Sequence, residues 1–114
     1  MAVSEQYLAF VLDQMGQVRA VTSRRMFGGA GFYAGEHFFA VADDDTLYFK
    51  VDAQSRPLFE REGMGPFQPM GPDKPMRGYY ELPPRVLEDS DELRQWMMRA
   101  IDVARRAGRK RRSG

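Results

Sequence analysis

Residues 24–51, RRMFGGAGFYAGEHFFAVADDDTLYFKV, hold runs of strand-forming residues joined by links only two or three residues long. A parallel crossover needs a dozen residues or more, so strands spaced this closely must pair antiparallel. The turns fall at Ala34–Glu36 and at Asp43–Asp45, where glycine and aspartate tolerate the required backbone angles. In TLYFKV, Leu47, Phe49 and Val51 alternate with Tyr48 and Lys50, which predicts one buried and one wetter face. EHFFAVA is more uniformly apolar and predicts a strand at the sheet centre. VTSRRMF ahead of this region and RGYYEL beyond it complete the strand set. PFQPM reads as an edge strand, because proline is tolerated at an edge and not in mid-sheet.

Helical patterning frames the strands. Leu8, Val11, Leu12 and Met15 recur at helical spacing, so Glu5 to Met15 is predicted helical, capped by Ser4 and ended at Gly16 by glycine's access to the left-handed conformation. A short helix is expected from Arg56 to Glu62, with Asp52 or Ser55 as cap, Pro57 in the first turn and Gly63 at the end. Leu93, Trp96, Met97, Ala100, Ile101 and Ala104 predict a long helix from Ser90 to about Ala107. Asp89 and Glu92 form a capping-box-like pair before it, and Gly108 is the expected break. The order predicts an α+β two-layer sandwich: a mainly antiparallel sheet flanked by N- and C-terminal helices. Residues 1–107 form one domain and residues 108–114 a disordered basic tail.

Composition removes several chemistries. The 114 residues include no cysteine, so disulfides, thiolate metal sites and thiol nucleophiles are excluded. No stretch approaches the roughly 20 apolar residues of a membrane span, and the N-terminus has no signal-peptide pattern, so a cytoplasmic protein without membrane contact is expected. The net charge of +1 conceals a division. Residues 1–104 carry 11 basic and 16 acidic side chains, and residues 105–114 carry six basic and no acidic ones. Arg105, Arg106, Arg109, Lys110, Arg111 and Arg112 could each neutralise a phosphate, giving salt-sensitive attraction to nucleic acid without sequence readout. The alternative is a solubilising tail or one folded back on the acidic body.

The glycines admit two readings. GAGFYA, Gly29 to Ala34, matches G-x-G-x-x-A, and Asp52 lies where an acidic ribose partner would be sought. A dinucleotide site requires a helix directly behind the glycines. Strand residues follow instead, and no Lys-Ser/Thr completes a phosphate loop. The structural reading has Gly28 and Gly29 permit a bulge or sharp bend, and Gly31 accept a neighbour such as Phe27 or Tyr80. His37, the single histidine, reads as an exposed strand residue rather than a catalytic base. Asp43, Asp44 and Asp45 read as a hairpin turn rather than a cation site. Met64, Met70, Met76, Met97 and Met98 read as core and interface filler. No metal, cofactor or catalytic residue is expected.

Three pieces have specific order and spacing: Arg25, Met26, Phe27, Gly28 and Gly29 with Gly31; Leu47 to Asp52; and Tyr79 and Tyr80 followed by Leu82 and Pro83. In these the chain resembles the N-terminal domain of the TfoX/Sxy family of bacterial competence regulators, over roughly Leu8 to Ala104. The resemblance implies a secretion-chaperone-like α+β fold and regulation rather than catalysis. Family members act as coactivators of DNA-uptake genes with the cyclic-AMP receptor protein, and carry a second helical domain that finds no room here. The implied role is that of a non-enzymatic regulatory or adaptor domain with a protein partner in the transcription machinery, with homodimerisation as a further expectation. The alternative is a small-molecule pocket near the glycine bend with Arg24, Arg25, His37 and Tyr80 as polar contacts.

Overall fold

The structure, a computed structural model, describes residues 3–26 and 28–113, with 109–113 in backbone alone. The element order is α1 (Glu5–Gly16), β1 (Thr22–Met26), β2 (Gly29–Ala34), β3 (His37–Asp43), β4 (Thr46–Lys50), α2 (Arg56–Arg61), β5 (Pro66–Phe67), β6 (Met76–Glu81) and α3 (Ser90–Ser113). A 3₁₀ turn over Pro84–Glu88 links β6 to α3. The six strands form one sheet in the order β1-β2-β3-β4-β6-β5, and every pairing is antiparallel. The expected α+β sandwich is therefore the observed fold, with the apolar β3 inside the sheet and Pro66 on its edge strand.

The hairpins follow from local chemistry. Gly28 and Gly35 have φ of 79° and 62°, which glycine adopts without the steric cost other residues meet. Asp44 and Asp45 both sit at φ 53°, the paired left-handed geometry that matches strand twist in a two-residue turn. The bulge expected at the glycines lies elsewhere. It falls between Phe32 and Tyr33, where Phe32 pairs with Ala40 and Tyr33 with Phe38. Phe39 is the extra residue, so both Phe39 and Ala40 are buried while Phe38 and Val41 turn to the other side. This explains the unbroken apolar run of β3.

The helices cover one side. Ala30, Phe32, Ala40, Ala42, Leu47, Phe49 and Tyr80 face Val11 and Met15 of α1, Phe59 of α2, and Leu93, Trp96, Met97, Ala100 and Ile101 of α3 in one apolar cluster. Phe59 sits edge-on to Trp96 with centroids 4.8 Å apart. Full burial of each such side chain contributes about 1.5–3 kcal/mol.

Caps fix the helix starts. The Ser4 hydroxyl accepts from the Tyr7 amide at 3.1 Å, and the Ser4 amide donates to Asp45 at 2.7 Å, tying α1 to the β3–β4 turn. Asp89 accepts from the amides of Asp91 and Glu92. Glu92 does not complete the box, because its carboxylate is held by Arg85. Two helix ends differ from expectation. Gln17 caps α1 in a right-handed conformation, so Gly16 is the last helical residue rather than a left-handed stop. Helix α3 passes through Gly108 and continues to Ser113. Glycine lowers helix propensity by about 1 kcal/mol, which a long helix anchored by packing absorbs.

Candidate functional site

The side of the sheet opposite the helices has no helix over it among the described residues. Alternation assigns it Arg24 and Met26 from β1, Gly29, Gly31 and Tyr33 from β2, Val41 from β3, Tyr48 and Lys50 from β4, and Tyr79 and Glu81 from β6. A row of rings crosses it. Tyr33 stacks on Phe38 at 5.0 Å, and Phe38 meets Tyr79 at 6.0 Å. A cation stands at each end, with the Arg24 guanidinium 5.8 Å from the Tyr33 centroid and the Lys50 ammonium 5.0 Å from that of Tyr79.

Beside this row lies an apolar groove of about 560 Å³. It is lined by Gly29, Ala30 and Ala42, by Phe38, Val41 and Tyr79, and by Phe67, Met70 and Met76 from the β5–β6 region. Met70 and Met76 are 72% and 45% exposed, unusual for large apolar side chains. The groove owes its depth to small residues. A methyl on Gly31 would stand 2.6 Å from the Phe38 ring and 2.7 Å from the Met26 methyl, and one on Gly29 would run into the Ala42 carbonyl oxygen. The neighbours over Gly31 are therefore Phe38 and Met26. Tyr80 lies on the other side of the sheet, and Phe27 is outside the described residues. Gly29 to Ala34 is strand with no helix behind it, so the anion-cradle reading fails on geometry.

Acidic groups collect toward the β3–β4 end of the same side. Asp43, Asp44 and Glu81 line a polar recess with Tyr48 and Phe67. Burial, reinforced by Glu81 and Asp43, raises the Tyr48 phenol above its ordinary value. A second notch of about 310 Å³ lies between α1, β4 and the 3₁₀ turn, lined by Tyr7, Phe10, Asp45, Glu81, Leu87 and Glu88. There burial, then Asp45 and Glu81, push the Tyr7 phenol up to about 12.

The four polar residues expected to share a pocket do not meet. Arg24 leans on Tyr33 across the open side, whereas Arg25 points to the helix side and pairs with Glu5 at 3.7 Å. Successive strand residues face opposite ways, so these neighbours cannot serve one site. Tyr80 is 1% exposed and donates its hydroxyl to Glu60 of α2 at 3.0 Å. His37 opens β3 and borders a shallow depression with Arg19, Glu36, Asp102 and Arg105, which includes no serine, threonine or cysteine. Asp52, sought as a ribose partner, instead accepts from the amides of Gln54 and Ser55 and so shapes the turn into α2.

The first two basic residues of the C-terminal segment are engaged with the body. Arg105 pairs with Asp102. Arg106 reaches Asp102 at 3.0 Å and Asp52 at 3.2 Å. Burial alone would raise the Asp52 carboxyl, but its bonds from Ser55 and the Arg106 charge hold it below the usual range. The side chains of Arg109, Lys110, Arg111 and Arg112 lie outside the described residues.

Phe38, Val41, Met70 and Met76 were not singled out as site residues by sequence reasoning. The available signal was apolar or aromatic chemistry at the outward positions of consecutive strands, where a solvated face carries polar residues. Among the described residues, no helix is long and apolar enough to cross a membrane. A search of curated proteins finds no match. The TfoX N-terminal domain family matches residues 13–104 of the 114, spanning every strand of the sheet, the last turn of α1 and most of α3, and the chain therefore belongs to the TfoX N-terminal domain family.

Proposed function

We propose that this chain is a non-enzymatic regulatory adaptor domain that docks another protein on the uncovered side of its sheet. The observation that carries the reading is the groove itself. It combines aromatic anchors with exposed methionines, and cations held on rings lie beside it, the composition of protein-binding surfaces rather than of reaction centres. Family membership supports a regulatory role, since the family resemblance implies coactivation. The basic end of α3 adds sequence-independent attraction to nucleic acid. Arg105 and Arg106 are tied to the body, so this attraction falls to Arg109, Lys110, Arg111 and Arg112.

A bacterial cyclic-AMP receptor protein is the first partner to test, by calorimetric titration against wild type and Met76→Glu. Binding weakened at least tenfold in the variant, with its melting temperature unchanged, supports the reading. No binding by either, or equal binding by both, argues against it. For the nucleic-acid part, DNA affinity of the wild type should fall steeply with salt. A variant with glutamine at the four distal basic positions should lose that slope.

A second reading has one observation in its favour. The groove volume of about 560 Å³ lies within the range of small-molecule sites. A metabolite that raises the melting temperature of wild type and not of Met76→Glu would favour it.

A further inference from the structure

We propose that Met70 and Met76 are an oxidation switch on the groove: a hydroperoxide converts their thioethers to sulfoxides, and the groove turns from apolar to polar. The chemistry stands on exposure and position, and its effect on a partner rests on the reading of the groove as a docking surface.

Three methionines distant in sequence meet in this groove, Met26, Met70 and Met76. The chain holds no cysteine, so all of its oxidisable sulfur is methionine. The reaction needs a sulfur that a peroxide can reach. Met70 and Met76 are 72% and 45% exposed, whereas Met15 and Met97 are fully buried in the core. Met26 is screened, because its methyl packs over Gly31 beside the Phe38 ring. Met64 is half-buried against the core. Met98 is as exposed as Met76, but it borders the depression beside His37 and not the groove. Among the described residues, high exposure and groove position therefore coincide at Met70 and Met76.

The oxidation balances between the side chain and the peroxide. The thioether sulfur attacks one peroxide oxygen, the O–O bond breaks and an S–O bond forms. The displaced hydroxide or alkoxide takes up the remaining hydroxyl proton and leaves as water or alcohol. Sulfur gives up two electrons and the peroxide gains two. An external dithiol-dependent sulfoxide reductase reverses the step, releasing water and keeping a disulfide.

The consequence is local. A sulfoxide is polar where the thioether was apolar, and such a change disrupts methionine-lined surfaces. Met70 lies in the β5–β6 link and Met76 opens β6, both outside the core cluster. The link turns on itself, with the Gly71 amide donating to the Gln68 carbonyl and the Lys74 amide to the Gly71 carbonyl, each at 3.2 Å. Oxidation there changes the groove lining and leaves the fold intact. Oxidation of Met97 would instead put a polar group into the core.

Hydrogen peroxide treatment of the full chain, followed by peptide mass spectrometry, tests the site. Met70 and Met76 should oxidise about tenfold faster than Met15 and Met97, with the melting temperature unchanged. Groove polarity is read with the apolar dye anilinonaphthalene sulfonate, as the ratio of its affinities before and after treatment within each protein. The ratio should be about ten in the wild type and in Met98→Leu, and about one in the Met70→Leu, Met76→Leu double variant. A sulfoxide reductase should restore the wild-type affinity. Methionines that all oxidise at one rate overturn the proposal, as does dye binding that is absent before treatment or that falls equally in the double variant. If the ratios are as expected while the cyclic-AMP receptor protein binds neither form, the switch stands and the adaptor reading fails. If that regulator binds and is lost in Met76→Glu while peroxide leaves the groove unchanged, the adaptor reading stands and the switch fails.

Discussion

The Phe38 ring lies directly over Gly31, one strand away, where a single added methyl would come within 2.6 Å of its edge. This contact sets the shape of the open side: the glycine lets the ring lie low beside Val41, and the ring links Tyr33 to Tyr79.

The two sheet glycines should differ in what they tolerate. At Gly31 the obstructing atoms end the side chains of Phe38 and Met26, which can yield, so Gly31→Ala is expected to cost about 1–2 kcal/mol. At Gly29 the obstruction is the Ala42 backbone carbonyl, which is held in the sheet. Gly29→Ala should therefore cost about 3 kcal/mol or more. Urea unfolding of the two variants checks the order, and equal losses would refute the account.

Tyr80 should be a structural tyrosine. Its hydroxyl bond to Glu60 fastens α2 to β6, and its ring packs on Phe59 at 6.3 Å. Tyr80→Phe is expected to lower stability by about 1–2 kcal/mol and to leave partner binding unchanged. A large binding loss at unchanged stability would instead place Tyr80 in a site.

The Asp52 carboxylate should make stability pH-dependent in acid. Its folded-state value lies below the ordinary 3.8, so its contribution is complete above that pH and is lost as pH falls through the depressed value. Both partners are partly solvent-exposed, so the Arg106 pair itself is worth at most about 1 kcal/mol. Arg106→Gln should reduce the stability difference between pH 5 and pH 2, measured by thermal melts, and high salt should have the same effect in the wild type. An acid profile unchanged by the substitution would show that the pair does not hold α3 to the body.

Much of this architecture was legible along the chain. Leu47, Phe49 and Val51 are buried, as their spacing with Tyr48 and Lys50 indicated, and Ser4, Asp89 and Gly63 mark helix boundaries by local chemistry. The candidate site was less legible, for two reasons. Sequence proximity grouped Arg24 with Arg25, although the pleat sends them to opposite sides of the sheet. The bulge at Phe39 also shifts the phase of β3, so outward residues could not be counted from a single alternating pattern.

Link length, periodicity and turn residues by themselves determined the antiparallel sheet, its flanking helices and the absence of thiol chemistry, because these depend on backbone reach, side-chain spacing and composition. Tertiary structure alone decided that Tyr80 is buried against Glu60, that Phe38 lies over Gly31, and that the methionines around β5 and β6 border a groove on the open side. Those outcomes depend on strand order and register, which bring together residues as far apart as Met26 and Met76 and which no local pattern encodes.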